Sequence, residues 1–362
     1  MKLFKLIWTY LLFCSLLLNV GSFVLSQDKS SNEKYQRKMW KKWLKKNPPS
    51  KNALKLELDF SFPSEELEDK NIFLWNAHKI TDDFSGNIYV LDSRLCQIFK
   101  FDSSGNLLQK FGHKGRGPGE FANPLNIMVK DNFIIVYDSR NSQVQFFNGK
   151  GEYIKSFKIY DPYLNMVMSN DGLIFAAPIV YLNRAHLIDI LTKEGELVSS
   201  FGEVREFKDD WGLRNHVELT LNEIGELFVA FRYSPLIRKY SVKRELLYEI
   251  SINKNKIVML KKEINSKIDS LRSKGKKVGY TSIITAVTTN SDNLYVLLDG
   301  PRIEILEFDN KGNQNSIFWI AKQSYKCGVS DFLVQNRYNE KEFYLLMYYP
   351  ESSKVDVYSQ RH

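Results

Sequence analysis

Residues 82–111 read DDFSGNIYVLDSRLCQIFKFDSSGNLLQKF, and residues 130–157 read KDNFIIVYDSRNSQVQFFNGKGEYIKSF. Each phrase is a polar turn, an apolar run, Asp-Ser-Arg, an alternating run, a Gly-containing turn and a last run that ends in Phe. Runs this short, with apolar residues at every second position, are strands rather than helices. A unit of several strands that recurs about every 40 to 50 residues is the signature of a β-propeller.

Four looser copies follow, opening at Gly172, Gly225, Asp292 and Lys341, and three of them carry alternating runs at Leu236–Tyr240, Arg302–Leu306 and Lys354–Tyr358. Tyr89, Ile135, Phe175, Phe228, Tyr295 and Tyr344 then mark six units and are read as positions on their inner strands. The last unit stops after a third strand, at Tyr358. The alternating run Leu54–Phe60, just ahead of the first unit, is expected to supply the fourth and to join both chain ends in one blade. A ring without that strand exposes an unpaired sheet edge. A helix over 54–60 is the competing reading.

The expected fold is therefore an all-β, six-bladed β-propeller over 54–362, preceded by a signal peptide (1–26) and a basic amphipathic segment with linker (27–53). Hydrophobic residues make up 43% of the chain and aromatic ones 14%, enough to fill the interfaces between six stacked sheets. The net charge of +9 is concentrated at one end. Residues 28–55 hold ten Lys or Arg against Asp28 and Glu33, a net +8, and Lys2 and Lys5 add two more, leaving −1 for residues 56–362. The basic balance thus gives the folded domain no nucleic-acid footprint.

Lys2 and Lys5 precede an apolar run from Leu6 to Leu18, and Val24-Leu25-Ser26 offers a cleavage site: the order of a secretory signal. An uncleaved signal anchor is the alternative, because Leu6–Leu25 approaches the ~20 residues that span a bilayer. Either reading exports the domain, to the periplasm or a cell surface. Cys96 and Cys327 fall in different units and are expected as buried free thiols. Asn-x-Ser/Thr is absent throughout, which points to a bacterial rather than a eukaryotic exported protein.

Between signal and propeller, Tyr35, Met39, Trp40, Trp43 and Leu44 fall on one face of a helix, lysines fill the other, and Pro48 ends it. Trp with Lys in this arrangement suits an anionic membrane surface, through Trp40 and Trp43, or a helix docked by its Trp face on the propeller. A second helix is expected in the insertion 252–279, where Leu260, Ile264, Ile268 and Leu271 form a stripe. There it either caps the channel or decorates a blade.

The Gly-rich stretch 112–121 lacks the Gly-Lys-Ser/Thr ending of a phosphate loop and reads as a tight crossing between strands. Asp92 and Asp138 end matching strands, where a carboxylate accepts backbone N–H groups and tightens a turn. His78, His113 and His216 are scattered, without the convergent set a metal needs. No cofactor is expected. Arg94, Arg140, Arg184, Arg232 and Arg302 occupy equivalent turns of units one to five and are the candidate ligand-binding residues: a ring of cations for an anionic ligand or an unidentified protein partner at the channel face.

DFSGNIYVLDSRLCQIFKFDSSGNLLQKFG followed by GRGPGEFANP resembles the NHL repeat and bacterial exported six-bladed β-propellers. The resemblance implies a binding or scaffold role without catalysis. Its alternative is a metal-dependent lyase or lactonase, since some NHL-type propellers hold a metal at the channel.

Overall fold

The computed structural model describes residues 29–70, 72–83, 85–179, 184–206, 211–276, 278–337 and 340–360. The signal peptide expected over 1–26 lies outside them. Six blade sheets follow one another round a ring: four have four strands in sequence order, the fifth gains a fifth strand from the N-terminal segment, and the sixth is completed by it. The innermost strands of neighbouring blades touch in the order one to six and back to one. These strands are Ala77–Asp82, Pro124–Lys130, Tyr163–Met168, Val217–Leu221, Ala286–Asn290 and Gly328–Arg337.

The six marker residues lie one strand further out. Tyr89, Ile135, Phe175, Phe228, Tyr295 and Tyr344 belong to the second strand of each blade, which corrects their reading as inner strands. Packing explains the displacement. In the first blade Ile88 and Val90 enter the apolar cluster shared with blade six, while Tyr89 and Leu91 enter the one shared with blade two. A strand buried on both faces reads as an unbroken apolar run and dominates the sequence pattern. The innermost strands carry Lys, Asn, Thr and Asp toward the channel, so they lack that signature.

Six apolar clusters, one at each junction of neighbouring blades, form the core. The last blade is completed by the N-terminal segment: Glu57–Phe62 pairs antiparallel with Ser353–Ser359. The closing strand thus begins later than expected. Leu54 and Lys55 instead pair in parallel with Phe318 and Trp319 on the outer strand of blade five. Leu54, Leu56 and Leu58 all face the cluster between blades five and six, so one alternating run serves two sheets.

The turns follow from their residues. Asp92 accepts N–H bonds from Trp75 (2.6 Å), Asn76 (2.9 Å), Arg94 (3.0 Å) and Leu95 (2.9 Å). Asp138 repeats the pattern with Ala122, Asn123, Arg140 and Asn141. Each carboxylate pins the incoming crossing loop to the turn beyond the second strand. The Gly-rich crossing is likewise self-contained: Glu120 accepts the N–H groups of Arg116 (2.7 Å) and Gly117 (2.8 Å). Gly112 has φ +84°, and a Cβ there would meet the buried Phe121 ring at 2.5 Å. Cys96 and Cys327 are buried free thiols.

Among the described residues, two long helices accompany the ring, besides the short Glu65–Asp69 and Trp211–Arg214. Lys29–Lys46 forms the N-terminal helix, longer than the expected 35–46. Lys256–Arg272 forms the insertion helix between blades four and five, capped by Asn255, whose side chain accepts the N–H groups of Ile257 and Val258. Ile257, Val258, Lys261, Ile264, Asn265 and Ile268 are its buried positions.

Closure has a direct test. Phe62 is 1% exposed, with its ring 4.8 Å from that of Phe101 in the first blade. Phe62→Ala is expected to lower the unfolding free energy by about 3–5 kcal/mol. Lys55→Ala, on an exposed position, stays within about 0.5 kcal/mol. Urea midpoints of the two variants check the difference.

Candidate functional site

The innermost strands bring one residue each to the same level of the channel. Lys79, Asn126, Asn165, Glu218, Ala286 and Asp331 all pair with the fourth residue of the neighbouring second strand's core run: Leu91, Tyr137, Ala177, Ala230, Leu297 and Leu346. Five of the six are polar. Blade one stands opposite blade four, yet Lys79 Nζ lies 3.3 Å from Glu218 Oε2 and 3.6 Å from Asp331 Oδ2. Asn165 Nδ2 donates to Glu218 at 2.6 Å, and Arg232 Nη1 donates to its other oxygen at 2.7 Å. Side chains from blades one, three, four and six thus form a strut across the axis.

Burial penalises every charge in this strut, and the partners decide the outcome. For Glu218 the Lys79 and Arg232 cations outweigh burial and hold its pKa below the usual carboxylate range. Burial dominates at Asp331, whose pKa is raised despite Lys79. His78, next to the strut, is pushed down to about 4 by burial and by Lys79, so it is neutral near pH 7. Its Nε2 faces Leu125 O at 3.1 Å and, in the neutral ring, must donate to that carbonyl. Nδ1 is then an acceptor, and it has no hydrogen-bond partner; nor has Oδ1 of Asn126, a residue 3% exposed.

Beyond the strut the channel widens into a cavity of about 780 Å³. Its lining begins one or two residues further along each innermost strand, at Thr81, Ile127, Met166, Thr220, Thr288 and Leu333, and ends at the hairpin turns. The walls mix apolar Ile127, Met128, Val167, Leu221 and Val334 with Thr81, Thr220 and Thr288. The mouth is polar and stitched between blades: Gln335 Nε2 donates to Asp82 at 2.8 Å, and Asn170 Nδ2 to Glu223 O at 2.9 Å. A cavity of this size, with apolar and polar side chains on its walls and a polar rim, has the form of a small-molecule site.

The five arginines lie at the other end of the strands, in the turns between second and third strands, on the opposite face from that mouth. Their guanidinium groups are engaged separately. Arg94 stacks 3.7 Å from the Trp75 ring centroid. Arg184 pairs with Asp161 and Asp189, both at 2.7 Å. Arg302 is buried against Glu304 and lies 5.3 Å from the Trp43 ring of the N-terminal helix. Arg140 is exposed in its turn. Of the five, Arg232 alone pairs with a carboxylate of an innermost strand. The strut residues Lys79, Asn126, Asn165, Glu218 and Asp331 are what sequence reasoning missed. The signal available was a polar residue interrupting the short run ahead of a marked strand in five of the six units.

The insertion helix lies on the arginine face. Lys261, 2% exposed, is pushed down to about 7 by burial and reaches Ile283 O at 3.4 Å. A second cavity of about 480 Å³ separates this helix from blade four. Among the described residues no three His, Cys, Asp or Glu side chains converge as a metal would require. His113 lies 3.1 Å from Glu120 in the Gly-rich crossing.

This architecture is that of a closed six-bladed β-propeller. The chain belongs to the DUF5128 family of six-bladed β-propellers, which its sequence matches over residues 58–297. No curated protein matches the sequence. Among solved structures it is similar to a Bacteroides fragilis protein described as exported, with TM-score 0.56 and 13% identity, covering 85% of this chain and 96% of that one. A DUF4221 family member from Bacteroides vulgatus has TM-score 0.56 and 10% identity, covering 86% and 98%. A virginiamycin B lyase from Staphylococcus aureus has TM-score 0.48 and 11% identity, covering 78% and 80%. These likenesses describe the fold.

Two measurements probe the strut. Glu218→Ala leaves Lys79 and Arg232 short of their shared carboxylate and is expected to cost about 3–5 kcal/mol. Adding Lys79→Met should recover part of that loss, read as a coupling energy in a double-mutant cycle. The second concerns pH. His78 has a folded pKa of about 4 against 6.5 in the unfolded chain, so the unfolded state takes up a proton first on acidification. Its contribution to stability is complete above about pH 6.5 and is lost as pH falls toward 4. The melting temperature of His78→Gln is expected to fall less steeply than that of the parent across this window.

Proposed function

We propose that this chain is an exported, non-catalytic binding propeller of the cell envelope whose axial cavity takes a small, uncharged ligand rich in hydroxyl or amide donors. One observation carries the proposal: the cavity sets apolar side chains such as Met128 and Val167 beside the hydroxyl-bearing Thr81, Thr220 and Thr288. A ligand hydroxyl or amide that hydrogen-bonds with those threonines gains about 0.5–1.5 kcal/mol for each bond. The apolar side chains of the walls suit the carbon face of such a molecule. Export rests on the sequence, in which Lys2 and Lys5 precede the run Leu6–Leu18.

The charge pattern weighs against an anion in this cavity. Asp82, Asp83 and Glu223 stand in its lining with Lys130, and the cations of the strut already have carboxylates. An anionic ligand at the arginine turns would have to displace Asp161 or Asp189 from Arg184 and Glu218 from Arg232. The metal-dependent lyase or lactonase has no supporting cluster among the described residues, and the binding reading stands ahead of it.

Calorimetric titration with maltose, chitobiose, neutral dipeptides, citrate and glucose 6-phosphate tests the proposal. A neutral probe is expected to bind the parent, to bind equally to Arg94→Ala/Arg140→Ala, and to lose at least about tenfold in affinity with Thr288→Trp, which fills the cavity from its half-buried wall. Binding confined to the two anions, or a neutral probe indifferent to Thr288→Trp, sinks the cavity as the site.

A further inference from the structure

The N-terminal helix divides cleanly. Met39, Trp40, Trp43 and Leu44 are half-buried, whereas Arg37, Lys38, Lys41, Lys42, Lys45 and Lys46 are exposed. At 100° per residue the six cations fill one half of the helix, and no acidic residue interrupts positions 37–46. The tryptophans are occupied by the propeller. Trp40 Nε1 donates to Pro301 O at 2.6 Å, and Trp43 packs on the cluster between blades four and five. Arg302 lies 5.3 Å from the Trp43 ring and donates to Asn47 O, clamping the helix end on the second-to-third-strand turn of blade five. The cations are thus held as an array about 15 Å long on a rigid support.

We infer that this face seats the protein on an anionic bilayer by electrostatic contact, with the tryptophans left on the propeller. Clusters of four to eight Lys or Arg on such a helix bind anionic lipid, each cation adding to the attraction. The sequence favours lipid over other polyanions. The helix begins four residues after Leu25, the end of the apolar run that directs the chain to a membrane, and the propeller beyond it is nearly neutral. Seating the helix also sets the orientation. It is attached at Pro301 and Arg302, on the arginine-turn face, so the 780 Å³ cavity opens away from the bilayer.

All core clusters lie within residues 43–358, so the chain from Gln27 onward contains the whole fold and omits the apolar run. That chain is floated with phosphatidylglycerol–phosphatidylcholine vesicles and with pure phosphatidylcholine vesicles, at low and high salt. Binding is expected only to the anionic vesicles, and to fall at least about tenfold in high salt. Lys38→Glu/Lys41→Glu/Lys42→Glu/Lys45→Glu should abolish it with an unchanged melting temperature, since these positions are exposed. Tryptophan emission should stay constant on binding. A blue shift would mean that Trp40 and Trp43 leave the propeller to insert, and overturns the inference. So do equal binding by the charge variant, equal binding to neutral vesicles, and binding to duplex DNA or heparin without binding to anionic vesicles.

Discussion

The ring depends on a strand borrowed from the other end of the chain. Each blade is buried against two neighbours, so an unfinished sixth sheet would expose an edge and weaken two junctions at once. Glu57–Phe62 removes that edge, and the hydrogen bond from Ser61 to Asp356 joins residues 295 apart in sequence. Leu56 lies with Leu54 and Leu58 in the junction of blades five and six, while Phe62 enters the junction of blades six and one. One short segment therefore contributes to two of the six interfaces. The rest of the structure, including the spacing of the innermost strands that defines the channel, presupposes it.

A closed ring brings six sheet edges to one axis, and the residues there decide what the channel is. In this chain the axis is crossed by Lys79, Glu218, Asp331 and Asn165, with Arg232 reaching in from its turn. Taking such charges out of water is costly, and it is offset only because each has more than one partner. The strut divides the two faces. On one lie the arginine turns, the insertion helix and the N-terminal helix; on the other, the open cavity with its amide-rich rim.

How far the sequence disclosed this follows from burial. The second strands, as in IYVL at 88–91, are apolar on both faces, and their repetition revealed six units without ambiguity. Asp92 and Asp138 announced their turn-bracing role through the recurring Asp-Ser-Arg. The closing strand was legible as an alternating run, although its division between blades five and six was not, because Leu54, Leu56 and Leu58 share one side throughout. The strut left no comparable trace. Lys79, Asn165, Glu218 and Asp331 differ in type and become equivalent only through strand register, with bulges shifting it in blades one, three and six. The arginines showed the reverse: a shared position in sequence, but separate engagements in space, because each turn offers its own carboxylate or ring.

Because the strut closes one end, the cavity is a well rather than a conduit. Whatever enters it must leave by the same opening, past Asp82, Asn170, Glu223 and Gln335. A constriction at that rim alters the barrier to arrival and to departure alike, so it changes how fast occupancy responds without changing the occupancy reached at equilibrium. For a ligand of the proposed kind, affinity would belong to the walls and tempo to the rim. The two properties are therefore carried by different residues of the same strands and are free to vary independently.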